Sequence, residues 1–226
     1  IKKIKAEVGS TVISFVDAKE AILLDLADYK ISYPVNEQLK FFMVADRFMF
    51  NNGEFEDYED MYAEFDKYLA QALVEVEKKA EPFAVEFAKK HWNDEMHYFV
   101  GAGNQWGATY SYAMCYWEEQ LWLKTKSISS NEFFHGMFEI VTKETPVTIY
   151  IGEDAQRPLS ERVANFIPRI CENYTIIDSK DYELKGISEK YRKHLSHHVM
   201  HAVNNRIDVH MEIETRPVSY THLTLP

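Results

Sequence analysis

The chain has 226 residues, 46% of them hydrophobic, which is enough to bury a sizeable core in one globular domain or one and a fraction. Its 36 acidic side chains against 25 basic ones give a net charge of -11, which repels a nucleic-acid backbone unless a local basic patch overrides it, and none stands out. Cys115 and Cys171 follow no CxxC spacing, which fits a reducing cytoplasm, and no apolar run reaches the roughly 18 to 20 residues that span a bilayer.

Ile1 to Lys5 read as the end of an amphipathic helix stopping at Gly9, so the chain is expected to continue a structure that begins upstream. Thr11–Val16 is a β-branched run with the look of a buried parallel strand, and Ile31–Pro34 a shorter second one. Between them, residues 21–29 carry helical spacing. Residues 37–92 read as mostly helical, broken at Asn51-Asn52-Gly53, with Pro82 marking a boundary. The alternation then resumes. Met96–Val100 reads as a strand ending at Gly101-Ala102-Gly103, Thr109–Lys124 as a long aromatic-rich helix and Glu132–Val141 as another. Val147–Ile151 and Thr175–Asp178 read as strands around a helix at Leu159–Cys171, and His194–Val203 as a last helix. Arg216–Pro226 has no such period; it resembles translated sequencing-adapter read-through and is set aside.

Chemistry in such a protein is expected beyond the carboxyl ends of the strands, where loop amides and helix N-termini converge. Gly101, Gly103 and Asn104 occupy that place, either as a backbone cradle for a sugar or phosphate or as a plain strand-to-helix turn; the spacing to Gly107 is not that of a dinucleotide fingerprint. Glu118 and Glu119 point about 100° apart on a helix, so one carboxylate lies near the aromatic face, where desolvation suits it to proton transfer, unless the pair is simply solvated. His135 follows Glu132 at i+3 in an apolar setting, as a packed residue or as an acid-base group. His194, His197, His198 and His201 fall on one helix, but a single helical face supplies at most two good ligands to one ion, so no metal site is expected.

Together, Gly101-Ala102-Gly103, the Glu118-Glu119 helix, Glu132-Phe133-Phe134-His135-Gly136, Pro146 to Asp154 and Arg157 to Arg162 resemble the second half of SIS-type phosphosugar enzymes of the fructosamine 6-phosphate deglycase family. The resemblance implies an α/β fold, an αβα sandwich about a parallel sheet, with a complete second SIS half and part of a first. It divides the chain into the end of the first half (1–36), a helical connection (37–93), the second half (94–215) and the set-aside tail (216–226).

The Glu119-to-His135 interval also matches the isomerase domain of glucosamine 6-phosphate synthases. There the glutamate moves a proton between C1 and C2, and the histidine reaches in from a partner subunit to assist ring opening. The resemblance therefore implies catalytic roles for Glu119 and His135, substrate contacts at Gly101, Gly103, Asn104 and Glu132, and a homodimer or higher homo-oligomer. It also implies acid-base chemistry on a small phosphosugar with no metal or organic cofactor. The activity expected is cleavage of a fructosamine 6-phosphate such as fructoselysine 6-phosphate. An aldose-ketose isomerase, a synthase isomerase domain or a non-catalytic phosphosugar sensor are the alternatives. The serine- and threonine-rich phosphate loops of a first half have no counterpart between Ile1 and Pro34.

Overall fold

The chain is described from a computed structural model, over residues 1–31 and 37–215. Two compact units emerge, one from Ile1 to Asp60 and one from Met61 onward, so the division falls inside the stretch expected to be a helical connection.

In the first unit, helix α1 (Lys2–Val8) ends as expected at Gly9, whose φ of 67° is open to glycine. Strand β1 (Ile13–Phe15), helix α2 (Ile22–Leu26) and strand β2 (Tyr29–Ile31) make one parallel βαβ unit, with Ser14 opposite Lys30. The second strand thus starts two residues earlier than the sequence suggests, and Ser32–Pro34 of that expected strand lie outside the described residues. Lys5 ties α1 to this unit through the Leu26 carbonyl at 3.0 Å and Asp28 at 2.7 Å. Helix α3 (Glu37–Asn51) follows, then α4 (Tyr58–Glu64), which carries the chain into the second unit.

There a π-helical turn (Phe65–Leu69) leads into α5 (Ala70–His91). Pro82 lies inside α5 and marks no boundary. It forfeits one backbone bond, but the buried stripe Ala72, Val76, Ala80, Ala84, Phe87 and Ala88 runs past it on both sides and holds the helix in one piece.

Strand β3 (His97–Gly101) is followed by α6 (Asn104–Ser111), a π-helical stretch (Tyr112–Glu118) and strand β4 (Thr125–Ser129). The expected long helix therefore begins five residues earlier and ends before Lys124. β4 has no counterpart in the sequence reading, because Thr125-Lys126-Ser127-Ile128-Ser129 is polar and lies at the sheet edge with β3 alone beside it. The helix expected over Glu132–Val141 is a 3-10 turn (Phe133–His135) and a short α7 (Met137–Ile140), parted at Gly136 with φ 153°. Strand β5 (Val147–Ile151) is buried throughout; α8 (Arg157–Phe166), strand β6 (Tyr174–Asp178), α9 (Glu189–Arg192) and α10 (Ser196–Thr215) complete the unit.

The sheet is parallel in the order β4-β3-β5-β6. Alternate residues feed two cores. Val100, Ile149 and Ile151 pack with Phe133, Met137, Val163 and Ile167 on the face covered by α7 and α8. On the other face Phe99 meets Trp117 at 5.0 Å, and the Tyr150 hydroxyl donates to Asn204 of α10 at 3.0 Å. Helices on both faces of a parallel sheet make the αβα sandwich that the sequence leads one to expect.

Candidate functional site

The chain runs out from β3 to the edge strand β4 and returns to β5 on β3's other side. The strand order therefore reverses between β3 and β5, and the crevice beyond their carboxyl ends is where an open sheet ordinarily takes a ligand. Gly103, with φ 57°, opens α6 there. Its amide neighbourhood is already occupied. The Asn104 N–H, expected to face a sugar or phosphate, donates instead to Asp154 at 3.0 Å, and a Cβ on Gly103 would fall within 2.2 Å of that carboxylate. The Gln156 N–H takes the other Asp154 oxygen at 2.8 Å, and the Asn104 side chain donates to the Lys193 carbonyl at 2.9 Å. Gly101 has equally little room: its carbonyl accepts from Ser130 N–H at 2.8 Å, and an added Cβ would meet the Thr109 hydroxyl. A carboxylate from the chain itself thus takes the loop N–H groups of Asn104 and Gln156 at the β3–β5 crevice.

Around these bonds lies a buried ion-pair network. Arg192 grips Glu153 with two bonds of 2.8 Å and donates also to the Ser179 and Tyr182 carbonyls. Arg157 grips Asp178 similarly, at 2.9 and 2.5 Å, which pushes its guanidinium pKa up.

Besides Asn104, two further expected site residues are exposed at this end. Glu132 accepts from the Ser129 hydroxyl at 2.9 Å, and His135 closes the 3-10 turn that its own N–H anchors on the Glu132 carbonyl at 2.8 Å. The apolar neighbours that made a packed histidine plausible turn elsewhere: Phe133 is buried and Phe134 stacks under Arg162 at 4.2 Å, while the imidazole faces solvent.

Glu119 lies at the other end. It caps the π-helical stretch just before β4 begins, whereas Glu132 and His135 follow the end of β4. β4 spans about 13 Å, so within one chain Glu119 and His135 stand at opposite ends of the sheet. The adjacent carboxylates are both exposed, and Glu118 accepts from the Thr125 hydroxyl at 2.5 Å.

Near this amino end a cluster escaped the sequence reading. Asp94 accepts the Nδ1–H of both His91, at 2.7 Å, and His97, at 2.8 Å, and His97 Nε2 pairs with the Thr148 hydroxyl at 2.8 Å. Burial holds His97 neutral, with a pKa of about 4, and the two histidines keep Asp94 below the usual carboxylate range despite its own burial. These three offer metal-ligand atoms within 4.8 Å of one another, but the hydrogen bonds already account for both Nδ1 atoms, as in a hub that pins α5 to β3. The signal was three residues at i, i+3, i+6 across a helix end. The four histidines of the last helix do not converge. It begins at Ser196, leaving His194 ahead of it; His197 and His198 are buried ring against ring at 3.8 Å, and His201 is exposed.

No family model matches the chain. The fructosamine deglycase FrlB of Bacillus subtilis is 31% identical over 138 residues, which are 61% of this chain and 42% of the relative. The fructoselysine 6-phosphate deglycase of Escherichia coli K12 is 34% identical over 83 residues, 37% of this chain and 24% of the relative. This chain resembles the fructosamine deglycases. Its matches span less than half the length of these curated relatives. Among solved structures, a protein of Bacillus subtilis described as a phosphosugar isomerase superposes with a TM-score of 0.88 at 23% identity, covering 95% of this chain and 67% of that one. One from Salmonella typhimurium, described likewise, gives 0.87 at 20% identity, covering 95% and 69%. The fold is thus the α/β SIS fold that the sequence motifs implied. No helix among the described residues is long and apolar enough to cross a membrane.

Proposed function

We propose that the protein of which this chain is a part cleaves a fructosamine 6-phosphate to a hexose 6-phosphate and a free amine. The observation that carries the reading is the similarity to fructosamine and fructoselysine 6-phosphate deglycases, over a stretch that reaches 61% of the chain. The geometry supports it in two ways. Glu119 is exposed at the end of its helix, beside a Glu118 that accepts from the Thr125 hydroxyl, and His135 is exposed on a short turn that fixes its backbone.

In this reading His135 assists opening of the ketose ring by moving a proton at the ring oxygen. Glu119 then removes a proton from C1, leaving an enaminol, and its return to C2 gives an imine. Water adds to the imine carbon and the amine departs with a proton. Each positioned proton carrier accelerates such steps by about 10² to 10⁴-fold. Because the two residues lie at opposite ends of one sheet, a working site takes Glu119 from one copy and His135 from another, and a homo-oligomer is part of the proposal. The phosphate is held outside the β3–β5 crevice, where Asp154 takes the loop N–H groups.

The test is turnover of fructoselysine 6-phosphate by the full-length protein and its Glu119→Gln variant. A variant that releases glucose 6-phosphate and lysine at the wild-type rate would remove the proposal. Conversion of fructose 6-phosphate to an aldose by a wild-type protein inert toward the fructosamine would favour an isomerase.

A further inference from the structure

The turn that carries His135 is fixed residue by residue up to the histidine itself. At its root Ser130 is buried, its N–H donating to the Gly101 carbonyl at 2.8 Å and its hydroxyl sharing a hydrogen bond with that of Ser160 at 2.9 Å. Phe133 is fully buried in the core beneath α7 and α8. Phe134 is only partly buried and meets Phe133 at 5.1 Å and Phe166 of α8 at 5.3 Å, both edge to face. Over its ring, 4.2 Å from the centroid, the exposed Arg162 of α8 lays its guanidinium. A planar cation at that distance is attracted by the ring's negative face and stacks on it as well. No carboxylate among the described residues competes for Arg162, since Glu161 beside it accepts from Arg157 at 2.6 Å. The His135 imidazole, by contrast, makes no hydrogen bond among the described residues, and Gly136 after it brings no side chain to pack. The direction of the imidazole therefore depends on how its backbone is held, and on the upstream side that means Phe134 and the cation over it.

We propose that Arg162 is a positioning residue for His135: by confining the Phe134 ring it fixes the direction in which the imidazole projects. The inference rests on the reading of His135 as the group that moves a proton at the ring oxygen. Arg162 acts through Phe134 and touches no substrate. A proton carrier displaced by about 1 Å loses up to about 10²-fold in rate, whereas an exposed cation–π contact adds little to folding stability. Rate, and not stability, is where the contact is felt.

The experiment uses the full-length protein, fructoselysine 6-phosphate as substrate, and two variants. Arg162→Met keeps an unbranched chain without the cation, and Arg162→Lys keeps a cation that can sit over the ring. For Arg162→Met the expectation is a kcat lowered by about ten-fold, with KM, the urea midpoint and the oligomeric state by light scattering as in wild type. Arg162→Lys returns most of the lost rate. The deciding readout is the background of His135→Gln, where adding Arg162→Met lowers the residual rate no further, because the group it directs is gone. The same fractional loss in both backgrounds, a raised KM at unchanged kcat, a lysine variant no better than methionine, a lowered urea midpoint or a changed oligomeric state would each overturn the proposal. His135→Gln alone separates the two readings. If it turns over at the wild-type rate, the reading of His135 falls and this inference with it; if it is impaired while Arg162→Met keeps its kcat, only the role of Arg162 falls.

Discussion

At the carboxyl end of the four-stranded sheet, polar groups find partners within the chain: Asp154 takes the loop amides, and Arg192 neutralises Glu153. At the amino end the chain leaves Glu119 exposed, with Trp122 at a φ of 60° on the turn that follows, and His91, Asp94 and His97 form a hydrogen-bonded hub at the start of β3. In open parallel sheets the first end is the usual ligand site, and here its loop amides are tied within the chain while His135 remains exposed on a turn past the end of β4. Under the proposed function, such a chain contributes one group from each end of its sheet, to two different copies.

The largest expected effect tests that division directly. In full-length protein, Glu119→Gln and His135→Gln should each lose about 10² to 10⁴-fold in turnover. Co-expressed in equal amounts, the two inactive chains should recover activity. A mixed dimer pairs the intact Glu119 of one chain with the intact His135 of the other at one of its two sites, so random pairing gives about a quarter of the wild-type rate. Recovery that fails while mixed dimers form would put both residues in one chain's site, and the two-ended picture would be wrong.

Next in size is the ion-pair network at the carboxyl end. Arg192→Met leaves Glu153, only 4% exposed in its side chain, without its cation, and should cost about 3 to 5 kcal/mol. Urea unfolding measures it. Adding Glu153→Gln should return part of the loss, because the orphaned charge is the source of the cost. An Arg192→Met variant as stable as wild type would mean that the network decorates this end without stabilising it.

The sequence disclosed the sandwich because its central strands are apolar without interruption: Val147–Ile151 is read at its observed bounds, and Tyr98 to Val100 nearly so. It concealed β4, whose polar residues fit an edge strand that needs apolar side chains only where it meets the core. Missing β4 had a consequence for the site. With Thr109–Lys124 taken as one helix and Glu132–Val141 as the next, no element separates Glu119 from His135; the strand between them sets them apart. Gly101 and Gly103 were legible as a tight turn, but the tenant of that turn was not. Asp154 lies 50 positions on from Asn104, and nothing local in either segment announces the bond. Trp122 was invisible for the converse reason, since a left-handed tryptophan carries no signature in composition.

The smallest expected effect concerns the buried histidines that back each end. His97 lies in the hub at the amino end, with a pKa of about 4; His197 and His198 lie beneath the carboxyl end, at about 4 and about 3. Burial is the main cause in all three, with the charge on neighbouring histidines adding to it and Asp94 opposing it at His97. Each folded-state value lies below the ordinary 6.5, so between the two the unfolded chain binds protons that the folded chain refuses. Stability therefore falls as pH drops below 6.5, by about 1.4 kcal/mol per unit for each histidine that titrates in the unfolded chain alone. Asp208, which accepts from Tyr112 at 2.7 Å and whose pKa burial raises to about 7, acts in the opposite direction. Folded, it holds a proton that the unfolded chain has released, so acidification from pH 7 toward 4 favours the folded state through this one group. Three against one leaves a net loss on the acid side. Urea midpoints at pH 7, 6 and 5 should fall in that order, His198→Phe should flatten the slope, and Asp208→Asn should steepen it. A midpoint independent of pH across that range would show that these imidazoles are reached by water. The two ends of the sheet would then differ in their surface groups but not in what lies behind them.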